Sequence, residues 1–286
     1  MTTVTLAGPI AAQGPLASGK AHTQENFPVA RLFAPRHRAA VLAFYRFART
    51  GDDIADHPTA PAHEKIARLE AMRATLAGDT DADVSALALR RICAERDITP
   101  QHGLDLLKAF TADVTVHRYP TWDALIRYCR YSAMPVGRFV CDVHRESQAL
   151  WPANDALCAA LQIVNHLQDC GKDYHAIDRV YLPLDALAAE GASVEDLGAS
   201  HATPALRRTI AGLATRAQGL LAQSRPFARL IADTRLGVEV AIIQALASDL
   251  AAKLAHRDPL SERVHHGKAA MLALAAPAAL RRLIGL

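Results

Sequence analysis

The chain has 286 residues, is 51% hydrophobic and only 5% aromatic, and carries a formal charge of +3. Alanine and leucine dominate and β-branched runs are short, which favours helices and supplies enough apolar surface for a large core. The small charge, with no Lys/Arg block, gives no footing for nucleic acid, and no apolar run is long enough to span a bilayer.

Glycine, proline and small residues in 1–24 offer no periodic apolar face and predict a loose arm. The segment also lacks a basic leader, which argues against an export signal. Residues 25–286 read as one helical domain. Pro35 opens a helix through Val41, Phe44, Phe47 and Ala48 to Asp56, stopped by His57-Pro58. Further helices are predicted from Pro61 to Gly78, over 83–95, from Thr99-Pro100 towards Tyr119-Pro120, and after Thr121, an N-cap residue for Trp122–Met134.

A helix through Val136–Glu146 follows, then one from Asp155 to Tyr174. Short elements near 184–190 and 193–199 precede helices over 204–232, 235–256 and 267–284. Five cysteines, Cys93, Cys129, Cys141, Cys158 and Cys170, lack C-x-x-C spacing and read as reduced core residues of a cytoplasmic protein. The thirteen histidines lack zinc spacing with cysteine and are expected at the surface. Trp122 and Trp151, near helix starts, read as packing anchors.

The 155–174 helix carries the most informative pattern. Gln162, Asn165, Asp169 and Asp173 fall on one stripe, while Leu157, Ala160, Leu161, Ile163, Val164 and Leu167 cover the other faces. A buried stripe of two amides and two carboxylates is costly unless it lines a wet cavity or binds a ligand. Asp169 and Asp173 stand at i,i+4, where like charges repel and a divalent cation would reverse the sign.

The first helix repeats this design: Tyr45, Arg49, Asp52 and Asp56 share a stripe, with Asp53 beside it. Facing one another, four carboxylates could hold Mg²⁺, which usually takes its remaining ligands from water and substrate phosphate. That points to a diphosphate ligand with Arg49 in charge-assisted contact. Arg49 could equally be a salt bridge to Asp52 or Asp53.

With both segments in view, the chain resembles the squalene/phytoene synthase family, the head-to-head prenyl synthases. Tyr45–Asp56 is similar to the family's Tyr-x-x-x-Arg-x-x-Asp-Asp-x-x-Asp signature. Gln162–Asp173 is similar to its Gln-x-x-Asn-x-x-Arg-Asp-x-x-x-Asp signature and is followed by the typical RVYLP. Tyr128-Cys129 with Val136-Gly137 resembles the middle segment, and Asn26-Phe27 stands where the family has Ser-Phe. The departures are Gln168 for an arginine, Lys172 for a glutamate and Met134-Pro135 for a small pair. Together, ENFPVA, SAMPVGR and NHLQDCGKDY look like the hopanoid-pathway branch, the hydroxysqualene synthases.

The resemblance implies an all-α, single-domain isoprenoid-synthase bundle around a central apolar cavity. It implies Mg²⁺ on Asp52, Asp56, Asp169 and Asp173, with loss of diphosphate from presqualene diphosphate and capture of the carbocation by water. Tyr45, Arg49, Asn165 and Gln168 become the catalytic candidates. Asn26, Phe27, Arg49, Tyr128, Val136, Gly137, Gln162, Asn165 and Arg179 become the substrate-binding ones. The implied partners are the isoprenoid diphosphate and a presqualene diphosphate synthase of the same pathway, at the inner face of the membrane. The competing expectations are a squalene, dehydrosqualene or phytoene synthase, and a non-catalytic assembly protein of the same fold.

Overall fold

Apolar residues three and four apart set nearly every element of the computed structural model, which describes residues 34–285. The expected loose arm, and with it Asn26 and Phe27, lies outside them. Among the described residues thirteen α-helices follow one another: α1 (Pro35–Ala55), α2 (Ala62–Ala77), α3 (Val84–Arg96), α4 (Gln101–Asp113), α5 (Trp122–Ser132), α6 (Met134–Val143), α7 (Trp151–Gln168), α8 (Cys170–Ile177), α9 (Leu184–Glu190), α10 (Pro204–Ser224), α11 (Phe227–Leu230), α12 (Thr234–Leu254) and α13 (Lys268–Leu283). Among the described residues the only extended pairing is an isolated bridge between Arg118 and Val180.

Local chemistry sets several boundaries where the spacing predicts them. Gly78 ends α2 at φ 99°, a left-handed conformation cheap only for glycine. Thr121 caps α5, its hydroxyl accepting from the Ala124 N–H at 3.2 Å. Two predicted helices are each broken. The 204–232 helix stops at Ser224, and α11 restarts it after Pro226, a residue that cannot donate to the preceding turn. The 155–174 helix divides at Asp169 into α7 and α8.

One apolar cluster runs from Ala40 to Val264. α1 buries Ala40, Val41, Phe44, Phe47, Ile54 and Ala55 against α2, α3, α4 and α6. Its Phe44 stacks on Phe139 of α6 with ring centroids 4.1 Å apart. Side chains as fully enclosed as Phe47 and Phe139 each contribute about 1.5–3 kcal/mol relative to exposure. α7 lies at the centre, packed against α5, α6, α10 and α12.

Gly137 sets how closely α6 meets α7. A Cβ built there would lie 2.0 Å from Asn154 Oδ1 and 2.7 Å from Cys158 Sγ. All five cysteines are free thiols, and burial pushes Cys93 up to about 11 and Cys129, Cys158 and Cys170 up to about 12. Both tryptophans are half-buried anchors, Trp122 under the Arg216 guanidinium and Trp151 under that of Arg138.

Candidate active site

The spacing of the first acidic segment places Tyr45, Arg49, Asp52 and Asp56 along one side of α1, ending at its C-cap. Tyr45, Arg49 and Asp52 are half-buried, and the neighbouring Asp53 is buried. Arg49 pairs with Asp53 at 2.5 Å and with Asp52 at 3.2 Å. Burial works against its charge, but the two carboxylates hold its pKa above the ordinary value. Arg49 is thus the salt-bridge residue that the spacing allowed, with Asp52 among its partners.

The second segment carries Gln162 and Asn165 on α7, Asp169 at the break and Asp173 on α8. The stripe survives the break because the backbone ladder crosses it. The Asp169 N–H donates to the Asn165 carbonyl at 3.0 Å, and the Asp173 N–H to the Asp169 carbonyl at 2.8 Å. Gln162 meets His166 one turn on, Nε2 to Nε2, at 3.1 Å.

Gln168 faces elsewhere: its amide nitrogen donates to the Val264 carbonyl at 2.5 Å, in the segment between α12 and α13. This amide donor of Gln168, one of the catalytic candidates, is therefore engaged by Val264. Leu260 of the same segment presses on Gly171, where a Cβ would approach its Cδ2 to 2.5 Å. A cavity of about 1080 Å³ opens here, lined by Gln168, Asp169, Lys172, His175, Leu260 and His265 among others. Tyr45, Tyr128, Val136 and Gly137 do not line it. Val136 is 40% exposed and Gly137 half-buried against α7.

Arg179 joins the two segments. Its Nη1 pairs with Asp56 at 2.9 Å, while its backbone N–H donates to the carbonyl of Asp173 at 3.3 Å. The same guanidinium donates to the Tyr181 hydroxyl at 3.1 Å and to the Asp113 carbonyl at 3.1 Å. Burial opposes the charge on Arg179, yet Tyr181, Asp113 and Asp56 raise its pKa.

Across the junction the carboxylates feel one another. Burial and the neighbouring Asp169 push Asp173 up to about 7, with Asp56 adding and Lys172 and Arg179 opposing. Asp113 also rises to about 7, chiefly through burial, against the pull of Arg179 and a 3.0 Å hydrogen bond from the Tyr128 hydroxyl. Asp56 and Asp52 add to that rise. Both acidic segments therefore border one electrostatic region. Their carboxylates do not form a tight cage: among the described residues, no three of them bring ligand atoms within 4.8 Å of one another.

Behind the junction stands an aromatic group that the sequence did not reveal. His166 stacks on Tyr181 with centroids 3.4 Å apart, and Tyr119 and Tyr128 lie 5.6 Å from the Tyr181 ring. Burial, then Arg179, lowers His166 to about 3, so its ring is neutral at ordinary pH. The expectation of surface histidines holds for His63, His175, His201 and His256, which are exposed, and is corrected for others. His37, His102, His144 and His166 are buried, and His266 bonds to Asp249 at 2.7 Å from a half-buried position. Asp113 was missed as well. The available signal was an acid on a helical face with Leu106, Ala109 and Phe110.

A family profile for squalene/phytoene synthases matches residues 20–270. A hydroxysqualene synthase of Zymomonas mobilis is 54% identical over 271 residues, covering 94% of this chain and 91% of that protein. A hydroxysqualene synthase of Rhodopseudomonas palustris is 56% identical over 251 residues, covering 87% and 86%. Among solved structures, the squalene synthase HpnC from Alicyclobacillus acidocaldarius superposes with a TM-score of 0.70 at 32% identity, over 79% of this chain and 86% of that one. A dehydrosqualene synthase shares the fold at a TM-score of 0.71 and 20% identity, over 86% and 87%. The two acidic segments that Arg179 joins lie inside the matched region, and this chain belongs to the squalene/phytoene synthase family.

Proposed function

We propose that this protein is a hydroxysqualene synthase, converting presqualene diphosphate and water into hydroxysqualene and diphosphate. One observation carries the reading: Arg179 ties Asp56 of the first acidic segment to the backbone of Asp173 in the second. Relatives 49–56% identical that bear the hydroxysqualene synthase name select this branch over the squalene and phytoene synthases.

Asp52, Asp56, Asp169 and Asp173 fit hard divalent cations, because crowding that holds Asp173 near 7 is relieved by added positive charge. An open carboxylate arrangement suits Mg²⁺, which keeps water and substrate oxygens in its shell. When bound, Mg²⁺ supplies charge that neutralises the departing diphosphate.

The protein's own groups do the rest. Arg179 holds Asp56 in place, and Arg49 anchors Asp52 while keeping a cation at the diphosphate side. The family resemblance, not the cavity beside Gln168, assigns Tyr128, Val136 and Gly137 to a wall that keeps the carbocation from bulk solvent. Gln162, Asn165 and Tyr45 are the groups that hold the attacking water, whose proton passes to the diphosphate. Among the described residues no helix is long and apolar enough to cross a membrane. We place the protein in the cytoplasm at the inner membrane surface, where a presqualene diphosphate synthase would deliver its product.

Incubating the purified protein with presqualene diphosphate and Mg²⁺, then analysing products by mass, tests the reading. Hydroxysqualene is the expected product; dehydrosqualene, squalene or no diphosphate release would overturn it. Asp169→Asn should abolish release while leaving the fold intact and the metal-free Tm equal or higher, because a like charge beside Asp173 is removed. Full turnover by that variant at saturating Mg²⁺ would remove Asp169 from the metal set.

A further inference from the structure

Where the first turn of α1, the end of α6 and the start of α12 meet, two histidines and an aspartate converge. His37 lies in the first turn of α1, His144 is the C-cap of α6 and Asp233 the N-cap of α12. One ligand atom from each lies within 4.8 Å of the other two, the only such group of His, Cys, Asp or Glu among the described residues. The imidazole rings are 4.2 Å apart at 34°, and the histidines are only 8% and 9% exposed.

Each side chain is oriented from behind. The His144 Nδ1 lies 2.9 Å from the Val140 carbonyl. A carbonyl only accepts, so Nδ1 donates in that contact, and Nε2 is the ring nitrogen that would bind a metal. Asp233 Oδ1 takes the Arg235 and Leu236 N–H groups at 2.9 and 3.0 Å, an N-cap that fixes the carboxylate. Glu146 steadies the same corner by accepting from the Ala232 and Asp233 N–H groups. Among the described residues, the buried Nδ1 of His37 has no hydrogen-bond partner, an unusual cost for an interior polar atom.

A cation already leans on the cluster from outside. The Arg36 Nε donates to His37 Nε2 at 2.9 Å, and its Nη2 stands 3.8 Å from Asp233 Oδ2. That side chain is 73% exposed and can swing into solvent at little cost.

We propose that His37, His144 and Asp233 form a binding site for a zinc-class divalent ion, with Arg36 occupying the cation's place when the metal is absent. Two imidazole nitrogens and one carboxylate suit Zn²⁺ or Co²⁺ with water as a further ligand, and disfavour Mg²⁺, which prefers oxygens. The ion would staple α1, which carries the first acidic segment, to α6 and α12. Such a site is structural and independent of the diphosphate chemistry.

The test uses full-length protein without a histidine tag, stripped by chelator and held in excess Mg²⁺ so that the acidic segments are occupied. Titration with Co²⁺ is followed by visible absorption, and with Zn²⁺ by Tm. One Co²⁺ per chain with the intense bands of a nitrogen-ligated ion of low coordination number, and a Tm raised by Zn²⁺, are expected. Asp233→Asn keeps the cap oxygen but loses the anionic ligand, and His37→Ala loses a nitrogen. Each should weaken metal binding roughly tenfold or more. Arg36→Ala, an exposed change that leaves the ligands intact, should tighten it. Absence of bands and of a Tm rise in the unaltered protein, or identical titrations for Asp233→Asn, His37→Ala and Arg36→Ala, would overturn the site and leave Arg36 as the resident cation.

Discussion

Arg179 holds Asp56 at 2.9 Å although the two residues are 123 positions apart in the chain. Its guanidinium is nearly enclosed and also serves the Tyr181 hydroxyl and the Asp113 carbonyl. Removing the cation therefore strands a carboxylate, a hydroxyl and a carbonyl at once. Arg179→Met should cost about 3–5 kcal/mol in urea unfolding, as expected for breaking one side of a buried pair. In a double-mutant cycle with Asp56→Asn, a coupling of about 1–3 kcal/mol is expected. A coupling near zero would mean that the pair does not hold the acidic segments together.

Asp113 gives the metal-free protein a defined pH dependence. Its carboxyl titrates at about 7 in the fold against an ordinary value of 3.8, because of burial. Between those values the folded protein keeps a proton that the unfolded chain has released. Its contribution is therefore fully present below about pH 4 and is lost as pH rises through 7, with an upper limit of roughly 4 kcal/mol. Asp113→Asn retains an oxygen for the Tyr128 hydroxyl and removes this slope. Its Tm should exceed that of the unaltered protein at about pH 8 and converge with it near pH 4. Parallel Tm profiles would refute the assignment.

Gly137 fixes the separation of α6 from α7, because a methyl group there would sit 2.0 Å from Asn154 Oδ1. Asn154 is buried and its amide donates to the Met134 carbonyl at 3.4 Å, so it has little room to yield. Gly137→Ala should destabilise by about 1–3 kcal/mol through overpacking. It should also lower turnover by shifting the wall beside Val136. Unchanged Tm and unchanged product yield would show that the helices part freely here.

Gln168 and Asn165 separate two roles that the sequence left together. Gln168→Leu removes the donor to the Val264 carbonyl and should cost about 1–2 kcal/mol, leaving a buried acceptor unsatisfied. Its alcohol fraction should stay the same. Asn165→Leu should instead shift product from hydroxysqualene towards dehydrated hydrocarbon, with diphosphate release largely kept. A product shift in Gln168→Leu, read by mass analysis, would return that residue to the water-holding group.

What the sequence determined by itself is what neighbours within a turn or two decide. Apolar spacing marked the helices from Pro35 onward, Thr121 and Gly78 marked ends through their own cap chemistry, and the two Asp-x-x-x-Asp stripes marked the candidate site. Tertiary structure decided what depends on partners far along the chain. The central helix breaks at Asp169 beside Gly171, where Leu260 packs, and Gln168 turns to Val264, 96 positions away. Arg179 was legible as a residue near the site, but its choice of Asp56 was not. Neither was the burial of His37, His144 and His166. Periodicity reports which face of a helix is apolar. It cannot report which polar group another helix brings to that face, because the long-range packing that encloses the side chains also selects their partners and sets the cost of their charges.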